Sequence, residues 1–123
     1  CLLISGCSEH GYDPGGRVDK YLTEVRNSRF HPQEAIAEDC RSACTLRLAG
    51  NYCVPRDGVF WFHSARWAHN QERVPPHKDE ARLNVPACVR ELGDERGAWG
   101  SLSYTPISAQ EILAACPSLS VCG

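Results

Sequence analysis

The stretch from Asp39 to His63, DCRSACTLRLAGNYCVPRDGVFWFH, decides how this chain is read. It puts Ser42 where a strand is expected to turn into a helix. It puts His63 at the end of a short aromatic strand, with Asp13-Pro14-Gly15-Gly16 upstream. A hydroxyl nucleophile needs a base to take its proton and fixed N–H donors to hold the oxyanion. Ser42, His63 and the Gly15-Gly16 pair are of the types that supply those parts, and the N–H of Ala43 would be a second donor at the start of a helix. Each also has a plainer reading. Serine is a favoured N-cap, His63 can be a core histidine held by a backbone carbonyl or an exposed strand-end residue, and Gly-Gly after Asp-Pro is a turn signal. His10, His31, His69 and His77 lie in polar or proline-flanked segments and read as solvated.

Outward from this stretch, helical and extended patterns alternate. Val18, Tyr21, Leu22 and Val25 fall at i, i+3, i+4 and i+7, which predicts a helix from Arg17. Residues 34–38 read as a short strand, 41–48 as a helix ended by Gly50, and Tyr52-Cys53-Val54 as a small strand stopped by Pro55. Residues 59–63 carry aromatics on both faces and read as a buried strand. Residues 69–78, with Pro75-Pro76, read as a loop. A helix is expected around Pro86, its inner face made by Cys88, Val89 and Leu92. Ser108-Ala109-Gln110-Glu111 is a capping box opening a last helix that Pro117 stops. Strands alternating with helices predict an α/β fold.

With 123 residues the chain makes one domain. The net charge is −2 and the arginines are scattered, so there is no nucleic-acid footprint. No segment is long and apolar enough to span a membrane as a helix. Eight cysteines and no methionine are unusual. Such density points to disulfides in an oxidising compartment, and without C-x-x-C spacings metal is the weaker reading. Leu3-Ile4-Ser5-Gly6-Cys7 resembles a bacterial lipobox, the alternative being an ordinary short strand. Residues 1–7 are then the remnant of a signal peptide, Cys7 is the lipidated residue, and 8–123 is a single domain. Localisation would be periplasmic or extracellular, with a membrane reached only through the lipid. Six cysteines remain for three bridges. Cys44–Cys53 is the expected pair across a helix folding back along its strand. Cys88 is expected to reach Cys116 or Cys122, with Cys40 taking the other.

Together, D-P-G-G-R-V, C-R-S-A-C-T and V-F-W-F-H resemble the ClpP/crotonase-like superfamily over roughly residues 11–66. The likeness is nearest to small, uncharacterised secreted or periplasmic bacterial members that resemble the proteolytic subunit of Clp protease. The resemblance implies Gly15 and Gly16 as an oxyanion loop, Ser42 as nucleophile, Ala43 as second oxyanion donor and His63 as general base. It implies a truncated version of that fold, a small sheet flanked by helices and stapled by disulfides. The activity implied is serine hydrolase chemistry on a peptide or acyl substrate without a cofactor. Where the family keeps its acid, residues 100–106 hold no carboxylate, and Asp79, Asp94 and Glu95 do not match by position. The imidazole would then be oriented by a backbone carbonyl or by a hydroxyl of Ser101, Ser103, Tyr104 or Thr105. The alternative is an inactive module that binds a peptide or acyl group in the same cleft.

Overall fold

The computed structural model describes residues 11–123, so the lipobox reading at Cys7 lies outside the described residues. Its elements run β1 (Tyr12–Asp13), α1 (Val18–Asn27), β2 (Glu34–Ala35), β3 (Asp39–Arg41), a 3-10 helix (Ser42–Ala49), β4 (Tyr52–Cys53), β5 (Val59–Phe62), α2 (Glu80–Asn84), α3 (Ala87–Glu95), β6 (Thr105–Ser108) and α4 (Ala109–Ala115). Strands β1, β3 and β5 are parallel neighbours, and β6 closes the sheet antiparallel to β5. A second, two-stranded parallel sheet pairs β2 with β4. The fold is mixed α/β, a small sheet flanked by helices and held by three disulfides.

Side chains alternate across a strand, and one face of the four-stranded sheet makes the core. Cys40, Phe60 and Ile107 are paired across β3, β5 and β6 and are all fully buried. Phe62 follows on the same face and meets Trp99 edge-on at 5.4 Å between ring centres. The other face is not buried as the aromatic run suggested. Trp61 is only partly covered, with the Arg41 guanidinium 4.7 Å from its ring centre and Tyr104 beside it.

The local signals hold where they depend only on neighbours. Helix α1 buries Tyr21, with Val18, Leu22 and Val25 packed against the core. Ser108 and Glu111 form the reciprocal capping box of α4. The segment after Ser42 is a tighter 3-10 helix rather than an α-helix.

That tightening overturns the expected cysteine pairing. The first turn curls Cys44 back to Cys40, 5.4 Å away between Cα atoms, and the two are bonded. Cys53 instead joins Cys122. The C-terminal residues run parallel to the chain just after β4, with Val54 N–H donating to Ser120 O (2.8 Å) and Cys122 N–H to Val54 O (3.0 Å). Of the two partners open to Cys88, the structure pairs it with Cys116, because α3 packs on α4. Three such bridges belong with an oxidising compartment. No helix among the described residues is long and apolar enough to cross a membrane.

Candidate functional site

Because β1, β3 and β5 are parallel and adjacent, their carboxyl ends share one edge of the sheet. Gly15 and Gly16 follow β1, Ser42 follows β3 and His63 follows β5. This is where open α/β sheets bind ligands, since each strand there hands over to a loop or a helix N-terminus.

Ser42 stands in the left-handed region, with φ +57°. A residue with a β-carbon pays about 1–2 kcal/mol for that conformation. Strain of this kind is kept where the surroundings impose it. A sharp strand-to-helix turn with its serine in this conformation lifts the hydroxyl clear of the sheet. A neighbour makes the turn possible: an added Cβ on Gly15 would lie 2.5 Å from the Arg41 carbonyl and 2.7 Å from Ser42 Cβ. Gly15 itself has φ +87°. Only glycine fits there, so its role is steric.

The Gly15 N–H is also already used, donating to Asp13 Oδ1 at 2.9 Å. Of the expected Gly15-Gly16 donor pair, Gly16 is therefore the one left to face a ligand, and it lines the cleft with Ser42 and His63. Ala43 N–H belongs to the first turn of the 3-10 helix, where amides lack partners within the helix.

Asp13 does more than close a turn. Its Oδ1 also accepts from Tyr21 Oη (2.7 Å), and its Oδ2 lies 3.0 Å from Arg47 Nη1. One carboxylate thus joins the glycine loop, helix α1 and the helix that follows Ser42. Burial, with the Asp13 carboxylate beside it, pushes the Tyr21 phenol well above its ordinary pKa, so its hydroxyl stays a donor.

His63 is partly buried. Its Nδ1–H donates to the Ser64 carbonyl at 2.5 Å. A carbonyl only accepts, so the neutral imidazole keeps its proton on Nδ1 and leaves Nε2 as the basic nitrogen. The ring is also held edge-on by Tyr104, at 4.9 Å between centres. Tyr104 therefore meets His63 through its ring rather than its hydroxyl. Ser42 and His63 together line a cleft of about 610 Å³ and a recess of about 20 Å³ at its floor, where Ala43, Thr45, Ala81 and Trp99 also meet. Among the described residues no hydrogen bond joins Ser42 Oγ to the imidazole.

None of the three carboxyl groups weighed from the sequence backs His63. Asp79 is fully buried, and accepts from Ala65 N–H (2.9 Å), Ala81 N–H (3.0 Å) and Arg82 N–H (3.3 Å). It caps α2 and clamps the chain two residues after His63. Asp94 forms two 2.9 Å bonds with Arg82, which hold its carboxyl below the ordinary aspartate range. Glu95 is exposed at the end of α3.

The sequence reading missed Asp13 as an organiser and Asp79 as a clamp. Asp-x-Gly marks an Asx turn at Asp13, but Tyr21 and Arg47 reach it only through the fold. Among the described residues no three His, Cys, Asp or Glu side chains gather as a metal site. No family model matches the chain, and comparisons with curated proteins and with solved structures give no significant match.

Proposed function

We propose that this protein is a serine hydrolase of the bacterial envelope, built on a truncated ClpP/crotonase-like architecture and acting on a peptide or acyl substrate. One observation carries the reading: Ser42, left-handed at the end of β3, shares its cleft with a histidine whose Nδ1 is tied down and whose Nε2 is the basic nitrogen. In the reaction, Ser42 Oγ attacks the substrate carbonyl carbon as its proton passes to His63 Nε2. The N–H groups of Gly16 and Ala43 hold the oxyanion. The bond to the leaving group breaks, and the leaving group takes the proton from His63. Water then repeats the sequence on the acyl-enzyme, releasing the acid and restoring Ser42. No cofactor takes part. On this reading Cys7 carries the lipid, and stable anchoring needs more than one acyl chain.

A fluorophosphonate probe tests the chemistry. Labelling at Ser42 that is lost in Ser42→Ala supports the hydrolase, and an unlabelled wild-type protein overturns it.

A second reading is favoured by the carbonyl on His63 Nδ1. A carbonyl orients the ring but does not stabilise an imidazolium as a carboxylate does. With Asp79 spent on Ala65 and α2, the cleft would bind a peptide or acyl group without turnover. Binding of an acyl or peptide ligand to a protein unreactive toward the probe would establish that reading.

A further inference from the structure

A second depression opens off the Ser42 cleft. It measures about 290 Å³ and shares Val18, Asp19, Ala65 and Arg66 with the cleft itself. Its walls are Val18 and Leu22 of α1 on one side and Ala65, Trp67 and Val74 on the other, with Lys78 and Glu80 at the rim. The second wall belongs to a hairpin: Val74 N–H donates to Ala65 O and Trp67 N–H to Glu72 O, both at 2.8 Å. The loop expected over 69–78 is therefore partly ordered, and it brings three apolar side chains against α1.

The backbone of the three apolar residues of this wall is used within the protein. Ala65 N–H goes to Asp79 and Ala65 O receives Val74 N–H. Trp67 N–H goes to Glu72 O, and Trp67 O receives Gln71 N–H. Val74 O receives Ser64 Oγ at 2.9 Å. Leu22 lies in the body of α1, whose amides and carbonyls bond along the axis, and Val18 opens that helix. An extended peptide is recognised chiefly through main-chain hydrogen bonds to a free edge. Among the hairpin residues that line the groove, only Arg66 leaves its N–H and C=O outside these backbone bonds; the apolar wall residues offer no such edge. They offer apolar side chains that lead from Ser42.

We infer that this groove is an acyl-chain subsite, and that the protein acts on esters of medium-length aliphatic acids. The inference rests on the hydrolase reading and deepens it. The acyl carbon reacts at Ser42 as described above, while the alkyl chain lies between α1 and the hairpin. Burying a methylene contributes about 0.8 kcal/mol, which converts to about a 4-fold gain in kcat/KM for each carbon that enters the groove.

The experiment measures kcat/KM for p-nitrophenyl acetate, butyrate, hexanoate and octanoate, alongside a peptide p-nitroanilide and fluorophosphonate labelling. The expected result is a rise of about 4-fold per methylene until the groove is full. Trp67→Ala should flatten that slope, and Leu22→Trp, which fills the groove from α1, should move the optimum to a shorter chain. A labelled, active enzyme with no chain-length slope overturns the subsite and leaves the hydrolase standing, as does a preference for the peptide. A wild-type protein that neither labels nor turns over ester overturns the hydrolase. The groove is then judged by titrating the protein with sodium octanoate and reading tryptophan fluorescence. A saturable change that disappears in Trp67→Phe supports the groove, and no change overturns it.

Discussion

Two depressions lie on either side of α1, and they differ in what their polar groups are doing. On one side a pocket of about 310 Å³ is lined by Glu24, Ser28, His31, Arg47, Asn51 and Tyr52, among others. Most of its polar side chains bond one another or the backbone. Ser28 Oγ donates to Val25 O (2.6 Å) and accepts from Asn51 N–H (2.9 Å). Asn51 Nδ2 donates to Ser28 O and His31 O, and Arg47 pairs with Asp13 and Glu24. On the other side the strand ends deliver a strained Ser42, the basic nitrogen of His63 and the first amides of a helix, none of them used up by the fold. Cavities of similar kind thus have opposite meanings. A polar pocket whose groups largely satisfy one another, with Arg47 Nε the buried exception here, is structure, whereas reactive groups held in a costly conformation and left unpaired mark a site.

The largest effect that could break this contrast is at Ser42. Ser42→Ala should remove fluorophosphonate labelling and bring esterase activity to background, while the melting temperature holds, because the left-handed strain on serine is traded for a similar one on alanine. Activity surviving unchanged would move the chemistry elsewhere. His63→Ala should come next, lowering the acylation rate by at least ~10²-fold, the usual scale for a general base. An undiminished rate would deny His63 that role.

Gly15→Ala sharpens the contrast through stability. It forces a β-carbon into the Arg41 carbonyl at positive φ, and should cost about 3 kcal/mol in urea unfolding. Gly16→Ala meets nothing closer than Tyr21 Cε1 at 3.6 Å and should cost far less. Equal losses would mean that the Gly15–Ser42 approach is not the constraint described. Asp13→Ala should cost about 2 kcal/mol by orphaning Gly15 N–H, Tyr21 Oη and Arg47. It should also raise amide exchange at Gly15, and Asp13→Asn should restore part of that protection. The smallest effect lies across α1. Asn51→Ala should cost about 1 kcal/mol in stability with esterase activity unaltered. A loss of activity there would erase the distinction between the two depressions.

What could be read without coordinates was whatever depends on near neighbours. The apolar spacing of Val18, Tyr21, Leu22 and Val25 and the Ser108–Glu111 box report contacts within a turn or two of chain, so α1 and α4 follow from the residues alone. The cysteine count likewise implied bridges. The pairing did not follow, because Cys44 meets Cys40 only once the turn tightens to 3-10 geometry, and Cys53 meets Cys122 only when the C-terminal residues lie along β4.

The same division runs through the candidate site. Ser42, His63, Gly15 and Gly16 stand out as residue types at turn and strand-end positions. Their meeting at one edge depends on the order β1-β3-β5, a long-range pairing that no local signal encodes. The left-handed turn at Ser42, the steric duty of Gly15 and the Asp13 link to Tyr21 and Arg47 are likewise consequences of packing. Residue chemistry is local and is written in the chain. Which groups are spent on one another, and which are left to face a ligand, depends on neighbours far apart in sequence, and tertiary structure alone decides it.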